Sequence, residues 1–383
     1  MQSRTILNCL KRMIAGIFCL ALSHPLTAQA LERFLDQPRP ASAGVRLVVF
    51  NPTAFNIRGL AALRDNGILD IPGLTVIGVF HTKQKDDFED SRKLVREKRL
   101  DWFKFHAVSG EISESTIFKK NACTPEFETI LKNTDGVIFF GGPDIPSSIF
   151  HRKTNFLVEI TDPFRHYLEL SAIFHFFGGT QDIHSPALLD SRPAFPVLGI
   201  CLGFQSLNVG TGGTLVQDIW SDIYRKSYVE DAIALGPEQW HNNPYQRLFP
   251  RDNLMGYNFH TLKLSGKGKL AKDLGFKTTD HPKVLSSHHQ ALGLLGKGWT
   301  TIATSRDGKV IEAIEHKKFP NVLGIQFHPE HPMLWDTEPR FRQKPGDPLT
   351  SYNAILAGTP ASLEFNKAIW KWFGGKLKES QAR

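Results

Sequence analysis

A handful of short, almost wholly apolar runs constrain this chain more than any other feature. V-R-L-V-V-F at 45–50, L-T-V-I-G-V-F at 74–80, G-V-I-F-F at 136–140 and P-V-L-G-I at 196–200 lack the polar alternation of a strand with one wet face. Strands of this kind are buried on both sides, which requires a largely parallel sheet covered by helices above and below. Helical segments fall between them, at 56–66 (stopped by Gly67), 86–98 and 163–177, with an alternating strand at 101–108. Thr124-Pro125 reads as a cap followed by proline in the first helical position, opening a further helix to about residue 132. The expected architecture is therefore α/β with a mostly parallel central sheet. Ligands in such sheets gather beyond the carboxyl ends of the strands.

The second half reads differently. Residues 220–256 combine Asp, Asn, Pro and aromatics with weak periodicity and predict an irregular, partly helical excursion. Short strands follow at 259–264, 299–305, 309–315 and 322–327, with Asp307-Gly308 as the hairpin turn between the middle pair. After a turn-rich stretch at 328–358, a last helix begins at Thr359-Pro360. It carries Leu363, Phe365, Ile369, Trp370, Trp372 and Phe373 and ends before Gly374-Gly375. That aromatic face suits core packing or a docked tail.

The amino-terminal thirty residues have the layout of a secretory leader. Arg4, Lys11 and Arg12 precede the apolar run at 13–22, and Ala28-Gln29-Ala30 offers a small-x-small cleavage site. The mature chain is expected to start near Leu31, in the periplasm or outside the cell, with no stable membrane insertion after cleavage. Loss of three basic and no acidic residues lowers the formal charge from +8 to +5. So small a surplus, without a Lys/Arg block, argues against nucleic acid as a partner and is compatible with small anionic substrates. Of four cysteines only Cys123 and Cys201 remain, too few for a disulfide scaffold and without a CxxC metal motif.

The chemistry concentrates in three segments. In G-I-C-L-G at 199–203 a cysteine sits between a strand and a helix, the geometry of a nucleophile elbow. The helix N-terminus beyond it favours a thiolate. A buried, inert cysteine is the competing reading of these residues alone. In G-I-Q-F-H-P-E at 324–330, His328 stands where a strand ends and Glu330 lies two residues on, a base with a carboxylate to orient it. In F-F-G-G-P-D at 139–144, consecutive glycines let backbone N–H groups turn toward an oxyanion.

These three segments, in the order they take along the chain, resemble class I glutamine amidotransferase-like proteins. With L-S-S-H-H-Q at 285–290, the resemblance is closest to the gamma-glutamyl hydrolase and gamma-glutamyl-GABA hydrolase (peptidase C26) branch. It covers about residues 45–330. It implies a flavodoxin-like three-layer sandwich and a Cys201, His328, Glu330 triad. The N–H groups of Gly142 and Leu202 would hold the oxyanion, and Gln205 with Ser287 and His288 would line the glutamyl pocket. The implied reaction is hydrolysis of a small gamma-glutamyl amide through a thioester, with no metal or organic cofactor. The chain then divides into a leader (1–30), a lead-in (31–44), a catalytic domain (45–335) with insertions near 178–192 and 220–256, and a carboxy-terminal extension (336–383). A homodimer is compatible with this reading. The alternatives are a glutaminase or amidotransferase component working with a partner, a peptidase or amidase of another acyl specificity, and a non-catalytic binder of glutamyl compounds. His81, His106, His175 and His184 show no ligand-like grouping and are expected to be solvent-facing or satisfied.

Overall fold

The computed structural model describes residues 32–40 and 42–381, so the leader lies outside the described residues. Twelve strands are β1 (Arg46–Phe50), β2 (Thr75–His81), β3 (Phe103–Val108), β4 (Gly136–Phe139), β5 (Val197–Ile200), β6 (Leu215–Val216), β7 (Asn258–Leu264), β8 (Lys283–Ser286), β9 (Ala291–Leu292), β10 (Trp299–Ser305), β11 (Ile311–His316) and β12 (Val322–Ile325). Ten form one sheet in the order β3-β2-β1-β4-β5-β12-β11-β10-β7-β8, and β6 pairs with β9 separately. The first six strands of that order are parallel; β11, β10, β7 and β8 extend the sheet as an antiparallel wing.

The uniformly apolar runs are central because both faces need apolar cover. In β1, Val48 and Phe50 enter one core while Leu47 and Val49 enter the other. The α-helices of six or more residues are α1 (Ala54–Asp65), α2 (Glu89–Glu97), α3 (Thr124–Asn133), α4 (Pro163–Phe177), α5 (Leu202–Gly210), α6 (Val229–Leu235), α7 (Tyr352–Ala357) and α8 (Ser362–Gln381). On one face lie α3, α4 and α5, supplying Phe127, Leu168, Ile173, Phe204 and Leu207; on the other lie α1 and α8, supplying Ile57, Leu60, Ile369, Trp370 and Leu377. The result is the expected three-layer α/β sandwich. No helix among the described residues is long and apolar enough to cross a membrane.

Several local expectations change. Thr124 is the first residue of α3 rather than its cap; the position before it is Cys123, which makes no side-chain cap bond. The Thr124 hydroxyl instead accepts from the Asn121 N–H at 2.9 Å and meets His175 Nε2 at 2.9 Å. The terminal helix does not stop at Gly374-Gly375 but runs to Gln381. Two interior glycines cost roughly 2 kcal/mol in helix propensity, and burying Leu377 beyond them offsets about as much. Residues 220–256 hold α6 and shorter turns, and drive Trp240 and His241 into the interior. The strands β6, β8 and β9 had no counterpart in the sequence pattern.

Candidate active site

Cys201 is the residue between β5 and α5, with φ +53° and ψ −107°. A non-glycine residue held in the left-handed region carries strain of about 1–3 kcal/mol, which surrounding contacts must hold. Here the Cys201 N–H donates to the Ile325 carbonyl of β12 at 2.9 Å, and the Gln205 N–H donates to the Cys201 carbonyl at 3.1 Å. The flanking glycines act on packing rather than on space around the thiol. A Cβ on Gly203 would collide with the Phe139 carbonyl, and one on Gly199 would meet the Gly203 carbonyl at 2.8 Å. They let α5 lie directly on β4 and β5, which fixes the elbow.

His328 follows β12, the strand beside β5, so parallel register carries it to the same sheet end as Cys201. Its backbone N–H donates to the Leu285 carbonyl of β8 at 2.9 Å, and its Nδ1–H donates to Glu330 Oε1 at 2.7 Å. Gly141 lies over the pair: a Cβ there would stand 3.1 Å from His328 Cε1 and 3.9 Å from Cys201 Sγ. Burial opposes charge on the imidazole, yet attraction from Cys201 and Glu330, reinforced by hydrogen bonding, raises its pKa well above the usual histidine value. The site therefore favours an imidazolium beside the sulfur, the arrangement that activates a cysteine nucleophile.

The other cysteine provides the contrast. Cys123 is wholly buried, its Sγ–H donates to the Gly110 carbonyl at 3.3 Å, and burial, with Glu126 and Glu111, pushes its thiol up to about 12. Cys123 and Cys201, the two cysteines among the described residues, are free thiols.

Gly142 is exposed beside the elbow, and Leu202 opens α5, so both backbone positions implied for the oxyanion lie at the same sheet end as Cys201. Sequence reasoning missed the group beneath them. Arg165 is fully buried, its Nη2–H donates to the Gly141 carbonyl at 3.0 Å, and any side chain at Gly142 would collide with its guanidinium. A cavity of about 400 Å³ opens here, lined by Asn51, Gln84, Gly141, Gly142 and Arg165 among others. Trp370 is a second omission. Its indole N–H donates to the Pro329 carbonyl at 3.0 Å, so α8 braces the loop between the base and its carboxylate. On the other side of that loop, α1 approaches so closely that a Cβ on Gly59 would stand 2.8 Å from the Glu330 carbonyl.

The residues implied for the glutamyl pocket separate. Gln205 is buried one turn beyond Cys201, its Nε2 donating to Gln326 Oε1 at 3.1 Å and the Gln290 carbonyl at 3.4 Å. Ser287 is half-buried. His288 is buried in contact with His241 rather than turned to a cleft, with Nε2 3.3 Å from His241 Nδ1. Its neighbour His289 faces Asp144 Oδ2 at 3.0 Å and Asp218 Oδ1 at 3.5 Å. Although burial lowers it, bonds and attraction to these two carboxylates raise His289 to about 9. That ion pair ties the G-G-P-D turn to the S-S-H-H-Q segment. Of the histidines read as ungrouped, His81, His106 and His175 are buried and hydrogen-bonded, and His184 is exposed.

Fold and site together define a class I glutamine amidotransferase-like protein. The chain belongs to the peptidase C26 family, whose pattern matches residues 75–330. The glutamine amidotransferase-like protein YvdE of Lactococcus lactis is 29% identical over 215 residues, covering 56% of this chain and 73% of that protein. Human gamma-glutamyl hydrolase is 26% identical over 222 residues, covering 55% of this chain and 54% of the human protein. Among solved structures, a glutamine amido transferase from Methylobacillus flagellatus is 13% identical with a TM-score of 0.40, covering 87% of this chain and 94% of that one. The family supports an amidotransferase or hydrolase acting on C–N bonds.

Proposed function

We propose that the protein is an exported gamma-glutamyl hydrolase. The observation that carries this reading is the convergence of a strained elbow cysteine, a histidine whose charged form is favoured, and a buried carboxylate on that histidine. The Cys201 thiolate attacks the gamma-carbonyl of the substrate, forming an S–C bond and placing negative charge on oxygen. Backbone N–H groups at Gly142 and Leu202 receive that charge. The tetrahedral adduct collapses by breaking the C–N bond, and the His328 imidazolium gives its proton to the departing amine. Neutral His328 then takes a proton from water, hydroxide adds to the thioester, and glutamate leaves with the thiolate restored. Glu330 holds the Nδ1–H tautomer throughout, keeping Nε2 toward the sulfur.

The deciding experiment supplies purified mature protein with a panel of gamma-glutamyl peptides, polyamines and folates, and with glutamine, measuring glutamate and ammonia separately. Glutamate from gamma-glutamyl amides is expected. Turnover of glutamine alone would favour an amidotransferase component, and tight binding without turnover a glutamyl-binding protein. Export rests on the leader composition and predicts a mature amino terminus near Leu31. Intact Met1 on the exported protein, by terminal mass analysis, would contradict it.

A further inference from the structure

Four side chains far apart in sequence meet at one point in the antiparallel wing. His241 comes from the 220–256 excursion, His260 from β7, His288 from the segment after β8 and Glu312 from β11. Each is buried to at least 95%. Glu312 Oε1 lies 3.3 Å from His241 Nδ1, 3.4 Å from His260 Nε2 and 3.8 Å from His288 Nε2, and the His241 and His288 nitrogens are 3.3 Å apart. Zinc–nitrogen and zinc–oxygen bonds of about 2.0–2.2 Å, arranged tetrahedrally, put neighbouring donor atoms about 3.3–3.6 Å apart. The Glu312–His241, Glu312–His260 and His241–His288 edges fall near that length, the Glu312–His288 edge is longer, and the donor atoms of His241, His260 and Glu312 all lie within 4.8 Å of one another.

The second observation is which atoms are left without partners. His260 Nδ1 lies 3.2 Å from the Trp240 carbonyl and His288 Nδ1 lies 2.8 Å from the Gln290 carbonyl. A carbonyl only accepts, so each ring donates its Nδ1–H, and the neutral ring turns a bare Nε2 lone pair inward. Those lone pairs face a carboxylate whose Oε1 and Oε2 make no hydrogen bond, and His260 Nε2 makes none either. Against the effect of burial, Glu312 draws His260 toward its charged form, which would pair those two groups and still leave His241 and His288 crowded against the same carboxylate oxygen. A divalent cation would satisfy the inward-facing atoms together; His241 Nε2, the ring nitrogen not turned to Glu312, also lacks a partner.

We propose that His241, His260 and Glu312 hold a zinc ion, with His288 beside them drawn in to complete a closed tetrahedron. Four protein donors leave no open position for water activation, so the ion is structural. It pins the excursion to β7 and β11. It also fixes the segment next to Leu285, whose carbonyl seats His328, and next to His289, which holds Asp144 in the G-G-P-D turn. The inference stands independently of the hydrolase reading.

The test uses the full mature chain, expressed with added zinc and purified without a polyhistidine tag. Elemental analysis should return about one zinc per chain, unchanged in Cys201→Ala and lost in Glu312→Gln. Zinc X-ray absorption should show only N/O scatterers, at about 2.0–2.2 Å. Cobalt added to stripped wild-type protein should give the intense visible bands of a tetrahedral centre, a readout that survives if Glu312→Gln does not fold. The proposal is overturned by wild-type protein that holds no zinc and takes up no cobalt. It is equally overturned by sulfur in the zinc shell, which would put the ion on Cys201, or by a folded Glu312→Gln variant that keeps full zinc.

Discussion

Two histidine–carboxylate groupings in the second half of this chain are built in opposite ways. His328 and Glu330 are two residues apart on one loop, and the group they act on is Cys201 at the end of the adjoining strand. His241, His260, His288 and Glu312 come from four segments, and no two of them are closer than about twenty residues in sequence. The first grouping faces a sulfur at the sheet end, and its imidazole is held toward the charged state. The second is enclosed, and the rings of His260 and His288 are oriented by carbonyls behind them. A histidine backed by one carboxylate and facing a thiol is arranged to move a proton. Three histidines gathered on one carboxylate, two of them oriented by carbonyls behind their rings, are the arrangement proposed to hold an ion.

That contrast can be broken most forcefully at Cys201. Cys201→Ala is expected to lower glutamate release by about 10⁵-fold or more, with zinc content and thermal midpoint close to wild type; rate assays and elemental analysis on one preparation check both. Next comes Glu330→Gln, with an expected loss of about 10⁴-fold in kcat, because the tautomer and the imidazolium both lose support. The sign for pH follows from the same pair. In the native protein the raised His328 contributes stability that is full below about pH 6.5 and is lost as pH rises through the higher folded value. Removing the Glu330 charge lowers that folded value. The alkaline limb of the rate profile should therefore move to lower pH in Glu330→Gln; an unmoved limb would separate Glu330 from the base.

Glu312→Ala tests the other grouping. It leaves buried imidazoles without their carboxylate and should cost about 3–5 kcal/mol, read as a fall in denaturation midpoint, while the triad residues stay in place. A variant as stable as wild type would remove the distinction between the two clusters. The smallest expected effect is at Trp370→Phe. Losing the indole N–H leaves the Pro329 carbonyl without its donor, worth about 1–3 kcal/mol. The kinetic signature is a modest fall in kcat with KM little changed, since the brace touches the base's loop and not the substrate.

The strands that were legible share one physical property. Those of the parallel half are buried on both faces, so their sequences are apolar throughout, and helices recur between them at lengths that cross the sheet. The wing was read less completely. Lys283–Ser286 carries only two core side chains over four residues, and its pairing with Asn258–Leu264 is set by a partner some twenty residues back. The terminal helix was cut short at Gly374-Gly375 because propensity is local, whereas Leu377 gains its burial from segments distant in sequence on the sheet face it covers, Gly136 of β4 among them. Arg165 gave no signal at all: inside the pattern of α4 it reads as an ordinary helix surface residue, and only the fold turns it under Gly141 and Gly142.

The sequence by itself determined the layered α/β class and the identity of a cysteine, a histidine and a carboxylate able to act together. Both follow from local information: apolar runs that cannot tolerate water on either face, and a base and its orienter separated by one proline. Only the tertiary structure decided what supports that chemistry. The guanidinium under the oxyanion turn, the indole behind the His-Pro-Glu loop and the four-residue cluster in the wing all depend on chain segments meeting across the sheet. Such meetings are fixed by strand order and register, and neither is written in any short stretch of the chain.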